Sequence, residues 1–327
     1  MRRLILYMVV ALFAGIATVW LIDRKINLEV EFFYELSKVT DQWANSLREK
    51  GGCCCIVAGG SEIKTTIDPE KIRELYGVNV INAGNHAGFG PVCNAATAFQ
   101  YVREGDVFIL STYCGTNVED IPVLGAKYAL RRLGSKLYDN GIMPKDVRII
   151  TKALAGDTVM MALFAYMYNQ GRVDDRHWYS YPQTARIHRS SLLEILIDGE
   201  FELPKGKPSI VSFIRRREYI SLCKKIQAIC MKKNVDFMVL IPVRYDREES
   251  RGRNAQLALQ LTKAGIPVLK DPRLGAVPDK DYFSDTCYHL KRKGIDDAAR
   301  ILGPAIKNRV YWSENELNGI TQRFLAK

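Results

Sequence analysis

The chain has 327 residues, of which 47% are hydrophobic and 25% are charged, the composition of an ordinary globular protein. This composition excludes a disordered tail, a collagen-like repeat and a membrane protein with many spans. Lysine and arginine total 47 against 36 acidic residues, and the net charge of +11 favours anionic partners such as phospholipid headgroups or acidic glycans. No nucleic-acid recognition motif accompanies the charge, so nucleic acid is not an expected partner.

Residues 1–25 predict a transmembrane signal-anchor. Arg2 and Arg3 precede an unbroken apolar run over residues 4–22, and charged residues follow it at 23–25. At helical rise the run measures about 28 Å, close to the hydrocarbon thickness of a bilayer. The basic start also fits a cleavable signal peptide, but the apolar residues continue beyond Gly15 and favour an uncleaved anchor. The positive-inside rule then places the N-terminus in the cytoplasm and the rest of the chain in a periplasmic or extracellular space.

Residues 26–50 predict an amphipathic helix that connects the anchor to a domain over residues 51–327. Apolar residues recur there every three or four positions: Phe32, Leu36, Val39, Trp43 and Leu47. The helix is expected to end at the glycine pair Gly51 and Gly52.

Apolar runs alternate with helical patterns through the rest of the chain. The predicted strands are residues 53–58, 78–83, 106–113, 147–151, 236–243 and 266–269. Amphipathic stripes predict helices, one of which carries Cys223 and Cys230 on its buried face. The alternation predicts an α/β fold, a three-layer flavodoxin-like sandwich with a mostly parallel sheet covered on both faces. Residues 152–207 interrupt the alternation and indicate an insertion that caps the sheet.

Ligands of an open parallel sheet bind beyond the carboxyl ends of its strands, so the residues after each strand are the candidates for chemistry. Ser61 comes after two glycines that follow the first predicted strand, where a serine is either an exposed nucleophile or a helix N-cap. Gly84 and Asn85 follow the second strand together with His86, which we expect to hydrogen-bond its own loop. A Gly-x-Asn sequence that ends at Asn117 follows the third strand.

Asp285 and His289 lie four residues apart near the C-terminus. One helical turn would place both side chains on one face, where the carboxylate can orient the imidazole. No cysteine or histidine spacing suits a tetrahedral zinc site, and neither GxxxxGK[ST] nor GxGxxG occurs. The sequence therefore predicts no metal and no cofactor.

The order of these residues resembles the SGNH/GDSL hydrolase superfamily, particularly membrane-anchored cell-envelope members related to polysaccharide O-acetylation and teichoic acid D-alanylation proteins. Two segments carry most of the likeness: Val-Asn-Val-Ile-Asn-Ala-Gly-Asn-His-Ala-Gly-Phe-Gly at 78–90 and Asp-Thr-Cys-Tyr-His-Leu at 285–290. The resemblance covers residues 53–308 with gaps.

The resemblance implies a role for each candidate residue. Ser61 would be the nucleophile, His289 the general base, and Asp285 the carboxylate that holds the imidazole tautomer. The oxyanion would be met by the backbone N–H groups of Ser61 and Gly84 and by a side-chain amide. In the family that amide belongs to the position of Asn117.

The chain departs from the family pattern at three places. It has Gly-Gly-Ser where Gly-Asp-Ser is usual, and Val118 stands where an aspartate usually follows Asn117. The aspartate usually stands three residues before the histidine, whereas Asp285 stands four before it. Asn85 is therefore a second candidate for the oxyanion amide, and Asp281 is a second candidate for the carboxylate.

The function that the resemblance implies is a membrane-anchored serine esterase or O-acyltransferase acting on a cell-envelope glycan. The expected partners are that glycan, membrane lipid around the N-terminal helix and, for a transferase, a multi-span protein that carries the acyl donor across the bilayer. The alternative is a catalytically inactive relative that serves the envelope as a glycan-binding or scaffold protein, a reading that the altered motifs favour.

Overall fold

A computed structural model describes residues 28–111, 123–131, 140–143, 216–246, 248, 250–283 and 287–325, with positions 6, 7, 10, 11, 13–15 and 17. The predicted strand at 147–151, the predicted insertion at 152–207, Asn117 and Asp285 lie outside these residues. The described helices are α1 (Leu28–Glu49), α2 (Ser61–Thr66), α3 (Pro69–Tyr76), α4 (Gly90–Phe99), α5 (Val123–Arg131), α6 (Arg216–Lys232), α7 (Ser250–Lys263), α8 (Arg292–Asn308) and α9 (Glu314–Leu325). The strands are β1 (Cys55–Gly59), β2 (Val80–Gly84), β3 (Val107–Ser111), β4 (Asp236–Val239), β5 (Arg244–Tyr245) and β6 (Ala276–Val277).

Four strands form a parallel sheet in the order β2-β1-β3-β4, which confirms the predicted α/β class. The register is level at the carboxyl edge, where Gly59 lies opposite both Gly84 and Ser111. Val268 adds a single parallel bridge beyond β4, while β5 and β6 form a separate parallel pair. The sheet order therefore places the glycine ends of β1 and β2 side by side, with β2 as the outermost of the four strands.

Helices cover both faces of this sheet. Alternate strand residues such as Ile56 and Ala58 join one hydrophobic cluster with α1 and with helices α4 to α7 and α9. Their neighbours Cys55 and Val57 join a second cluster with α2, α3 and α8. Every residue of β1, β2 and β3 is buried, as expected for parallel strands packed on both sides.

Helix α1 lies along the sheet and runs opposite to the strands. Near its start, the ring of Phe33 packs against that of His86, with centroids 5.3 Å apart, beyond the carboxyl end of β2. Further along, the Trp43 indole N–H donates to the first carbonyl of β2 at 2.9 Å. At its end, Arg48 forms an ion pair with Asp106, which directly precedes β3. The helix predicted over residues 26–50 therefore packs into the core of the domain.

The predicted strands at 236–243 and 266–269 are longer than the strands observed. The first ends at Val239, and Pro242, which has no N–H to donate to a ladder, falls in the remainder. The second is reduced to bridges at Val268 and Leu269. Cys223 and Cys230 are both buried on α6, as their spacing predicts.

The predicted anchor, residues 1–25, is described at only some positions of its apolar run. Large apolar side chains are exposed at four of them: Leu6, Tyr7, Val10 and Phe13. Among the residues that the structure describes, none belongs to a helix with both the length and the apolar character needed to cross a membrane.

Candidate functional site

At the carboxyl ends of β1, β2 and β3, which we call the carboxyl edge of the sheet, neighbouring backbone segments lie very close together. A Cβ atom at Gly59 would lie 2.3 Å from the carbonyl oxygen of Ser111, and one at Gly84 would lie 2.9 Å from that of Gly60. Real Cβ atoms do not come so near, so these positions accept only glycine without a shift of the backbone. The glycines therefore bring β1, β2 and β3 together where a ligand of a parallel sheet would bind.

Ser61 is the first residue of α2, and the N-cap position is taken by Gly60, without a side-chain hydrogen bond. The interpretation of Ser61 as an N-cap is therefore wrong, since its hydroxyl does not cap the helix. The side chain is partly exposed, and it makes no hydrogen bond within the described part of the chain. A serine hydroxyl at a strand-to-helix turn thus remains open to a ligand.

Glu62 lies next to Ser61 and is buried, with 3% of its surface exposed. Its carboxylate Oε1 accepts the Gly60 N–H at 2.9 Å. Burial raises the pKa of this carboxyl, and the backbone N–H groups of Gly60 and Glu62 together with His289 act in the opposite direction. Sequence reasoning missed Glu62, because a charged residue in a first helical turn is usually solvated.

His289 follows a turn at residues 287–288 and precedes Leu290, which bridges to Phe283. Its side chain is 5% exposed, and it influences the pKa of both Glu62 and His86. The segment is fixed on α2 by the Thr65 hydroxyl, which lies 3.1 Å from the Glu62 carbonyl oxygen and 3.4 Å from that of Tyr288. The structure therefore brings the His289 segment to the helix that Ser61 begins.

The loop after β2 holds a buried amide without an acceptor. Asn85 is 4% exposed, its backbone N–H donates to the Gly59 carbonyl at 2.9 Å, and its Nδ2 has no hydrogen-bond partner among the described residues. The hydroxyl of Ser111, opposite Gly59, is also buried and without a partner in this part of the chain. Ser111 was missed because the predicted strand ran past it to residue 113.

The N–H of Gly84, a predicted oxyanion donor, already has an acceptor. It donates to the side-chain oxygen of Asn82 at 3.1 Å. Asn82 in turn donates to the carbonyls of Ile63 and Ile67 at 2.9 and 2.7 Å. Gly84 therefore serves the close packing of β2 on α2, and its role as an oxyanion donor, like that of Asn85, stays a prediction.

His86 hydrogen-bonds its own loop, as predicted. Its Nδ1 accepts the Gly88 N–H at 3.0 Å, which leaves the proton of the neutral ring on Nε2. Burial lowers the pKa of His86, and His289 lowers it further. The imidazole thus packs beside Phe33 in its neutral form.

Three further predictions concern the remaining candidates. Asp285 and Asn117 lie outside the described residues, so their roles stay predictions. Asp281 is exposed on a short 3₁₀ helix, where its N–H donates to Asp279. In the described ranges no three His, Cys, Asp or Glu side chains cluster as metal ligands would.

Comparison with models of protein families, with curated proteins and with solved structures found no match. The resemblance to SGNH hydrolases therefore stays a prediction from the residues. What bears on function is the arrangement of Ser61, Glu62, Asn85 and His289 at one edge of the sheet.

Proposed function

We propose that this chain is an SGNH-type serine esterase or O-acyltransferase with a flavodoxin-like sandwich fold. Its substrate would be an O-acylated glycan of the cell envelope. The observation that carries the proposal is the position of Ser61 at the strand-to-helix turn. There its hydroxyl is accessible and does not cap α2, and the His289 segment packs on the same helix.

In the proposed reaction the Ser61 hydroxyl oxygen attacks the ester carbonyl while His289 accepts the hydroxyl proton. The negative charge that develops on the carbonyl oxygen is stabilised by an N–H donor such as the Asn85 amide. Collapse breaks the ester bond, and the alcohol leaves with the proton from His289. Water or a sugar hydroxyl then attacks the acyl-enzyme by the same steps and restores the free serine.

Membrane attachment is part of the proposal. Leu6, Tyr7, Val10 and Phe13 are all large and apolar, and all are exposed, which supports a hydrophobic environment for this segment. A single anchor would place the domain on the outer side of the membrane. A transferase of this kind would need a multi-span partner to supply its acyl donor.

One observation favours the second candidate, a non-catalytic glycan-binding or scaffold protein. No hydrogen bond joins Ser61 to His289, although both residues are described. An active esterase can also lack this bond before substrate binds, since catalytic hydrogen bonds are often long in the absence of substrate. A chemical test of Ser61 separates the two.

The test is to treat the purified full chain in detergent with a fluorophosphonate probe and a short-chain nitrophenyl ester. We expect labelling and turnover that disappear in Ser61→Ala and His289→Ala but persist in Ser221→Ala, an exposed serine on α6. A folded wild-type chain that neither reacts with the probe nor turns over the ester would contradict the proposal. That outcome would favour the binding protein instead.

A further inference from the structure

We propose that the carboxyl edge of the sheet, with Ser61 and His289, faces the membrane surface. This inference rests on the membrane attachment in the proposed function, but not on the catalytic activity. It follows from the direction of α1, which is the first helix after the proposed anchor and contacts both edges of the sheet.

The two ends of α1 identify the two edges. Phe33, near the start of the helix, packs against His86 and Phe89, with ring centroids 5.3 and 5.2 Å apart. Both partners follow the carboxyl end of β2. Arg48, near the end of the helix, pairs with Asp106 at the amino end of β3. The first turn of α1 is therefore on the same side of the domain as Ser61.

Chain length decides which side can approach the bilayer. Residues 23–27 separate the apolar run from α1, and these five residues reach about 17 Å when fully extended. Helix α1 has 22 residues and is about 33 Å long. The connection is too short to pass along the whole helix and bring the amino edge to the membrane. The start of α1, with the carboxyl edge beside it, must stay near the lipid headgroups.

This orientation limits what the site can meet. A molecule that reaches Ser61 enters between the domain and the bilayer, so it is held at or near the membrane surface. The amino edge, with the exposed residues Arg103 and Glu104, faces away from the lipid.

The test uses the full chain in lipid nanodiscs that carry an acceptor dye on their headgroups. A fluorescent amino acid is placed either at position 87, exposed beyond β2, or at position 104, exposed before β3. Position 87 lies beside the start of α1 and position 104 beside its end, so the two labels are separated by about 20 Å along the helix axis. We expect clearly higher energy transfer from position 87 than from position 104. Insertion of twelve glycine and serine residues after Lys25 should reduce this difference, because the longer connection lets the domain turn.

Any other outcome contradicts the inference, and the pattern of energy transfer shows whether the orientation or the membrane attachment fails. Equal transfer from the two positions, or higher transfer from position 104, would overturn the orientation and leave membrane attachment standing. Transfer from neither position would show that the domain is not held at the bilayer, and both the attachment and the orientation would fail. Loss of esterase activity has no influence on the measurement, so catalysis and orientation are tested separately.

Discussion

A carboxylate is buried at each of the two edges of the parallel sheet, Asp106 at the amino edge and Glu62 at the carboxyl edge. The two differ in the groups that surround them. At the amino edge Asp106 is 1% exposed and is paired with the Arg48 guanidinium. It also accepts the N–H groups of Cys54 and Arg103 at 2.8 and 2.7 Å. At the carboxyl edge Glu62 is 3% exposed and accepts backbone N–H groups, and burial raises its pKa.

The difference in partners indicates a structural role for the amino edge and a functional role for the carboxyl edge. At the amino edge the cation and two amide donors compensate for the burial of the carboxylate. At the carboxyl edge, burial raises the pKa of Glu62, and the Asn85 amide and the Ser111 hydroxyl are buried without partners in the described part of the chain; each of these lowers stability unless a ligand compensates for it. Groups with shifted pKa values or without hydrogen-bond partners are concentrated at functional sites, where binding or catalysis requires an arrangement that does not maximise stability. The contrast therefore supports the carboxyl edge as the site.

The largest effect is expected from Arg48→Met. The substitution leaves the buried Asp106 carboxylate without its cation, so the free energy of unfolding should fall by about 3–5 kcal/mol. Urea unfolding of the wild-type and variant chains measures the change. Lys71→Met removes one partner of the exposed Lys71–Glu74 pair and should cost less than about 1 kcal/mol. A similar fall in the free energy of unfolding in both variants would contradict a special contribution of the Arg48–Asp106 pair.

Asn85→Ala should separate activity from stability. If the Asn85 amide stabilises the oxyanion, turnover of the nitrophenyl ester should fall by about 10²–10³-fold. The fold should change little, because the buried Nδ2 has no described acceptor to lose. Asn82→Ala is the matched control: it removes three structural hydrogen bonds and should lower stability by roughly 1–3 kcal/mol. An Asn85→Ala chain with full activity would exclude the donor role.

Gly59→Ala should test the close packing of the carboxyl edge. The added methyl group would meet Ser111 and Ile63 at 2.3 Å, and overpacking of this kind costs about 1–3 kcal/mol. Gly319→Ala introduces the same group on the exposed face of α9, where no atom lies within 4 Å. There we expect a gain of about 1 kcal/mol from helix propensity. Thermal unfolding compares the two, and equal shifts would contradict the close approach.

The smallest expected change in the free energy of unfolding is that of Glu62→Gln, and it depends on pH. Because burial raises the folded-state pKa above the ordinary 4.5, the unfolded chain ionises first as pH increases. Stability from this group is therefore present below pH 4.5 and is lost as pH rises through the folded pKa. Glutamine keeps the acceptor for Gly60 and cannot ionise. The stability of the variant relative to wild type should increase with pH, and a constant difference from pH 4 to 8 would contradict the assignment.

Local pattern was sufficient to predict much of the fold. Continuous apolar runs located β1, β2 and β3 because these strands are buried on both faces. Helix α3 was missed although it has ordinary signals: Asp68 caps it, Pro69 begins it, and Gly77 ends it in a left-handed conformation. Eight residues with few apolar positions give a weak periodicity, so only the capping residues could have identified this helix.

The site was predictable only in part, for a physical reason. Position after a strand identified Ser61 and Asn85, since the carboxyl ends of parallel strands share one edge. Burial of Glu62 and the hydrogen bonds from Asn82 to Ile63 and Ile67 depend on packing between separate segments of the chain. No local pattern carries that information.

The attachment of α1 at both edges has a mechanical consequence. A force applied at Leu28 along the helix axis acts at once on the aromatic contact of Phe33, the hydrogen bond of Trp43 and the ion pair of Arg48. These contacts are arranged along the direction of pull, so they resist sliding together and do not open one after another. A tension applied at Leu28 would thus reach β3 through α1 before the strands next to Ser61 separate.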